Sequence, residues 1–191
     1  MSMAHCNQPG SEAFLTSPRT FISCLLLLFL CSNLFAQSQQ KRGPSTPADR
    51  AQAVQIAREL AADPLLPGNK SMRAWFTLWL SQVPDITVPF CGEELGLIFG
   101  EANRNKNFGS EIFGQSMLSS ASFVIEHPDQ AKNAIAVHTA GVEGVLKAYQ
   151  SILKTHPEAR RPFLDDLIAK MQNGELAKYV EKATAKCGEH R

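Results

Sequence analysis

The sequence predicts an all-α fold: a compact bundle of five or six helices that follows a removable N-terminal leader. Three observations carry this. Apolar residues recur three and four apart through most of residues 47–187, proline-bearing breaks separate those runs, and the chain beyond the leader is long enough to bury one core without metal support. The expected organisation is a signal peptide over 1–36, a flexible lead-in over 37–46, a single helical domain over 47–187 and a tail over 188–191.

The leader comes first. Its apolar centre, residues 21–30 in "FISCLLLLFL", is too short to span a bilayer, which takes roughly twenty apolar residues. A secretory signal needs a basic flank, an apolar centre of about seven to fifteen residues and a small residue at the cut. Arg19 supplies the flank, and Leu34-Phe35-Ala36 ends on a small residue before the polar "QSQQKRG". Cleavage is expected between Ala36 and Gln37, although Leu34 is bulkier than usual two places before the cut. The polar stretch ahead of Arg19, which carries Glu12, is long for a signal, and a start assigned too early would explain it. Lipidation is rejected: Cys31 follows bulky Leu30, and Cys24 lies before the end of the apolar centre.

Loss of residues 1–36 removes one basic residue, Arg19, and one acidic residue, Glu12, so the net charge stays at +1. That balance gives no electrostatic case for a nucleic-acid partner, which needs a concentrated basic face. Contact with a membrane is expected only through the transient signal. Cys6, Cys24 and Cys31 leave with the leader, so Cys91 and Cys187 remain. Two cysteines in an exported chain read as one disulfide.

The helices follow in order. Thr46-Pro47-Ala48-Asp49 is a helix start, with a capping hydroxyl, proline in the first position and an acid in the first turn. Ala53, Ile56, Ala57 and Leu60 then keep helical spacing. "DPLLPGN" over 63–69 ends this helix, and Asn69 is placed to cap the next. There Met72, Trp75, Phe76, Trp79 and Val83 form a stripe flanked by Leu78 and Leu80, so apolar around its circumference that the helix is expected at the centre of the bundle. Residues 84–92, with two prolines, read as an extended loop, 93–102 as a short helix and 103–109 as an exposed turn.

Residues 110–126 are helical, with Phe113, Met117, Ala121 and Val124 on one stripe and Gly114, Ser116, Ser119, Ser120 and Ser122 between. The longest helix is expected over 129–155, where Ile135, Val142, Val145, Tyr149 and Ile152 recur and Gly141, Gly144 and Ala148 form a smooth second stripe. The two should lie antiparallel and close, because the turn between them is short. "RPFLDDLIAKMQNG" puts Phe163, Leu164, Leu167, Ile168 and Met171 on one face, with Asn173-Gly174 as its stop. The last helix, 175–187, carries Leu176, Tyr179, Val180, Ala183 and Cys187 in phase, which points Cys187 inward. His127-Pro128-Asp129 and His156-Pro157-Glu158 read as punctuation and not as a repeat: histidine suits a helix C-terminus, and proline cannot continue the helix.

Chemistry is sparse. The sequence has no glycine-rich phosphate loop, no HExxH and no CxxC, and Gly114-Gln115-Ser116-Met117-Leu118 lacks the second glycine of a nucleophile elbow. Cys91 with His127, His138 or His156 would make a thiol hydrolase only if Cys91 were free. Glu93, Glu94, Glu101, Glu111 and Glu126 lack the Glu-x-x-His spacing of di-iron bundles, so no metal or other cofactor is expected. His138 falls among apolar residues with no acid or second histidine three or four positions away, as a core histidine would. Phe90, Leu97, Phe99 and Phe108 flank a loop rich in asparagine and glycine, and would line a groove for a protein, peptide or apolar ligand if they do not simply cap the bundle.

The expected function is a non-enzymatic helical binding or protein-interaction module, exported to a periplasm or out of the cell. The alternative is a small secreted hydrolase-type enzyme, its site assembled from separate helices around His138 and a carboxylate such as Glu94 or Glu111.

Overall fold

A computed structural model describes residues 42–89, 91, 108–185 and 187. Among them the chain forms six α-helices and no strand: α1 Pro47–Ala62, α2 Asn69–Gln82, α3 Gly109–Glu126, α4 Ala134–Thr155, α5 Pro162–Gln172 and α6 Leu176–Thr184, with one 3-10 turn, Pro157–Ala159, between α4 and α5. The all-α expectation holds. The expected leader with its Ala36–Gln37 cut, the 93–102 helix and most of the 103–109 turn lie outside the described residues.

The start of α1 is built as its residues dictate. The Thr46 hydroxyl accepts from the Asp49 N–H at 3.1 Å, and the Asp49 carboxylate accepts from the Thr46 N–H at 3.2 Å, a reciprocal pair that satisfies two donors left over at a helix end. Arg42, Ser45 and Thr46, read from sequence as part of the lead-in, lie against the bundle. Ser45 donates its N–H and its hydroxyl to Asp85, each at 2.7 Å, and Arg50 adds a bond to the same carboxylate at 2.8 Å. This joins the chain before α1 to the chain after α2.

The centre of the molecule is the α3–α4 hairpin, with α1 laid across both helices. Its closeness comes from missing side chains. A Cβ on Gly141 would stand 2.4 Å from Ser120 Oγ, and one on Gly144 would stand 1.9 Å from Ser119 Oγ. Neither space exists, so only glycine fits. The small-residue stripes read from the sequence are thus the contact surface of the two helices.

Four expectations are corrected. First, α2 is not central: among the described elements its backbone lies nearest α1, and it buries Phe76 and Trp79 against α1 and α3 while Leu78 stays 59% exposed. Its apolar circumference is spent partly on a Trp75–Trp79 stack, 5.7 Å between ring centroids. Second, Gly68, in the left-handed region at φ +85°, occupies the capping position ahead of α2, and Asn69 instead donates its side chain to the Pro64 carbonyl at 2.9 Å. Third, α4 begins at Ala134 and not at 129, because the Asn133 side chain accepts from the Ala136 N–H and caps it there. That start leaves Ile135 at the mouth of the hairpin, 37% exposed, while Val137 takes the inward place. Fourth, α6 stops at Thr184, and Cys187 follows in a turn whose N–H bonds the Thr184 carbonyl.

The punctuation holds. His127 and His156 end α3 and α4, each bonding its N–H to the carbonyl four residues back. The core falls into two clusters. Ala53, Ile56, Leu60, Phe76, Trp79, Leu118 and Val124 fill the first, between α1, α2 and α3. Ile112, Val145, Tyr149, Leu164, Leu167 and Val180 fill the second, between α3, α4, α5 and α6.

Candidate functional site

Three places bring together groups able to bind or react. The first is the end of the bundle where the 63–67 turn, the last turn of α4 and the start of α3 meet. Leu65, Pro67, Ile152 and His156 line an open cleft there. Phe108 stands at the N-cap of α3 with φ +66°, a left-handed conformation that a bulky residue seldom adopts, and its ring packs 4.5 Å from the His156 imidazole. Of the four residues expected to form a groove, Phe108 is the one described; Phe90, Leu97 and Phe99 lie outside the described residues.

The second is a shallow cleft over α1, α3 and α4, floored by Ala57, Ser119 and Gly144 and rimmed by Arg58, Glu126, His127, Glu143 and Lys147. Its charges are partly committed. Arg58 Nη2 bonds Glu126 Oε1, and the Ser122 hydroxyl donates to Glu126 Oε2 at 3.0 Å. Below it lies Gln115, fully buried, whose amide donates to the Ala57 carbonyl at 2.8 Å.

The third is Arg73, on the second turn of α2. Its Nε, Nη1 and Nη2 are all shut off from solvent, and none has a hydrogen-bond partner. Burial pulls its pKa below the ordinary arginine value, and the Glu111 charge pushes the other way. The guanidinium lies on α3 at Gly114, where a Cβ would come 3.3 Å from Nη1. Sequence reasoning passed over this residue. The signal was there: Arg73 precedes Phe76 by three residues, so it shares the flank of α2 that carries a core aromatic.

The residues considered for catalysis do not converge. His138 is 8% exposed and engaged with a partner of its own. It lies on α4 at the level of Ser120, whose hydroxyl donates to the neighbouring Val137 carbonyl at 3.1 Å. Glu111 is nine residues from Ser120 along α3, about 13 Å at the helical rise, at the far end of the hairpin. Glu94, Glu93 and Glu101 lie outside the described residues. Cys91 is joined to Cys187, with their Cα atoms 5.5 Å apart, and is 1% exposed. A thiolate nucleophile is not available in that state. Among the described residues no group of three His, Cys, Asp or Glu side chains is placed to hold a metal ion, and no helix is long and apolar enough to cross a membrane.

Comparison with protein-family models, with curated proteins and with solved structures gives no significant match.

Proposed function

We propose that this chain is an exported, non-enzymatic helical module that binds a protein, a peptide or an apolar ligand. The observation that carries the proposal is the Cys91–Cys187 crosslink, which joins the loop after α2 to the turn after α6. Such bonds form and persist in oxidising compartments and are rare in the cytosol. The leader read from residues 1–36 supplies a route to such a compartment, with cleavage between Ala36 and Gln37. Binding in place of catalysis is supported by the commitment of the reactive groups: Cys91 is spent on the crosslink, Glu126 is paired with Arg58, and His138 and Glu111 sit at opposite ends of the hairpin.

The test is His138→Ala in the purified exported product. The proposal expects a lower melting temperature and unchanged ligand binding, the behaviour of a core histidine. A hydrolytic activity that disappears in this variant while stability is unchanged would favour an enzyme instead.

A further inference from the structure

The first two clefts described above are joined. Between them a furrow follows the line where α1 meets α4, sharing Arg58 and Lys147 with the cleft over α1, α3 and α4, and Ala62 and Ser151 with the cleft at the 63–67 turn. The Ser151 hydroxyl donates to the Ala62 carbonyl at 2.6 Å, which holds the last turn of α1 on α4 and fixes the floor. Among the described residues every charged side chain lining this furrow is a cation: Arg58, Lys147 and Lys154. Arg58 is paired with Glu126, whereas the exposed Lys147 and Lys154 have no ion-pair partner among the described residues. The two lysines share one face of α4 with Gln150 and Ser151, and stand two turns apart, about 10 Å along the helix axis. Acids bound this basic stretch: Glu126 and Glu143 beyond Lys147, and Asp63 beyond Lys154. At the Lys154 end the furrow opens onto an apolar hollow of Leu65, Leu66, Pro67 and Ile152.

We infer that this furrow docks a short acidic peptide segment of a partner protein, with an apolar side chain in the hollow beside Leu65 and Ile152 and carboxylates on Lys154 and Lys147. Charge sets the class of partner: the unpaired cations call for carboxylates, and a continuous polyanion such as a nucleic acid would run onto the acids at either end. Spacing sets the pattern. A peptide in the polyproline II form returns to the same side every third residue, about 9 Å on, which is close to the separation of the two lysines. Two acids three positions apart, with an apolar residue before the one nearer the hollow, are therefore what the furrow reads. Exposed ion pairs add little energy each, so the charges select the segment while burial of the apolar anchor supplies most of the affinity. This rests on the binding reading above and deepens it by naming a partner class.

The test uses the full exported chain with its crosslink intact. The probe is a capped, fluorescein-labelled peptide, Leu-Pro-Glu-Pro-Pro-Glu, followed by fluorescence anisotropy. The natural protein should bind it saturably, with a Kd below about 1 mM at low salt. The double variant Lys147→Gln/Lys154→Gln, changed only at exposed positions and checked for an unaltered melting temperature, should bind it about tenfold more weakly. A second probe with glutamine for both glutamates should bind the two proteins equally, because the charge pairs are then already gone. No saturable binding of the acidic probe overturns the assignment, whether the furrow is only a solvated face or is already filled by the protein's own chain. Equal affinity of the natural protein for both probes, equal affinity of the two proteins for the acidic probe, or displacement of that probe by a single-stranded oligonucleotide at lower concentration than by unlabelled peptide would each do the same. A dimer in ultracentrifugation that the double variant abolishes gives the furrow to a second copy, and also overturns it. These failures leave the export reading intact, and a hydrolytic activity lost in His138→Ala would end the non-enzymatic reading without altering the anisotropy result.

Discussion

Gly144 shows how little room single atoms have here. A methyl group at that position would have to occupy space already held by Ser119 Oγ and by Ser119 Cβ, which would stand 2.4 Å away. Alanine ordinarily gains up to about 1 kcal/mol over glycine within a helix. In this hairpin the overlap reverses the sign, and Gly144→Ala should destabilise the fold by about 2 kcal/mol or more, measured by urea unfolding. Tyr149 is a second such residue. Its hydroxyl accepts from the Arg161 N–H at 2.6 Å and lies 3.0 Å from Asp165 Oδ1, where it donates, tying α4 to the start of α5. Burial raises its pKa, and the bond from the Arg161 N–H opposes that. Tyr149→Phe leaves the Arg161 N–H buried without its acceptor, and should cost about 1–2 kcal/mol in the same assay.

Asp85 gives the pH dependence. Burial works to raise its pKa, but the Ser45 hydroxyl, the Ser45 N–H and Arg50 outweigh it and hold the carboxyl at about 2. In an unfolded chain an aspartate titrates near 3.9. The folded value is the lower one, so the stabilisation is fully present above about pH 4 and is lost as pH falls toward about 2. Asp85→Asn should therefore be less stable than the natural protein at neutral pH, and the difference should shrink between about pH 4 and pH 2. A difference that stays constant over that range would contradict this role.

At the scale of elements, much of the fold was legible where a local chemical rule decides the outcome. Thr46, Pro47 and Asp49 announce α1, Asn173 and Gly174 end α5, and the two His-Pro pairs end α3 and α4. Thr46→Ala should cost about 1 kcal/mol, read by urea unfolding, because one capping acceptor is lost. Position in the bundle was less legible, because it depends on partners distant in the chain. The strong apolar stripe of α2 pointed to the centre, yet the centre went to α3 and α4, whose glycines and serines permit closer approach than any large side chain would. On α3, Ala121 and Val124 of the expected stripe are buried and Met117 packs against the first core cluster, while Ile112, Ser116, Leu118 and Ser120 join the buried face and Phe113 stays partly exposed. Of the site residues, Phe108 and the two cysteines could be named in advance because their types are suggestive. Arg73 could not, since an arginine on a helix flank is usually solvated, and only the packing of α2 on α3 reveals that this one is dry.

At the scale of the whole molecule, one covalent bond closes the chain. Cys91 and Cys187 are 96 positions apart, so their bond encloses most of the helical domain in a single loop. The chain-entropy account gives such a loop about 4–5 kcal/mol, a sizeable share of the net stability of a domain. Reduction, or Cys187→Ser, should lower the unfolding free energy by up to that amount while far-ultraviolet circular dichroism keeps its helical signature, because both core clusters are built without the sulfur.

The account depends most on maturation outside the cytosol, and intact mass spectrometry of the chain from its native host, alkylated with and without prior reduction, tests this most directly. The account predicts a polypeptide beginning at Gln37 whose two cysteines take up the alkylating agent only after reduction. A chain still carrying residues 1–36, with Cys91 and Cys187 alkylated before any reductant is added, would contradict it.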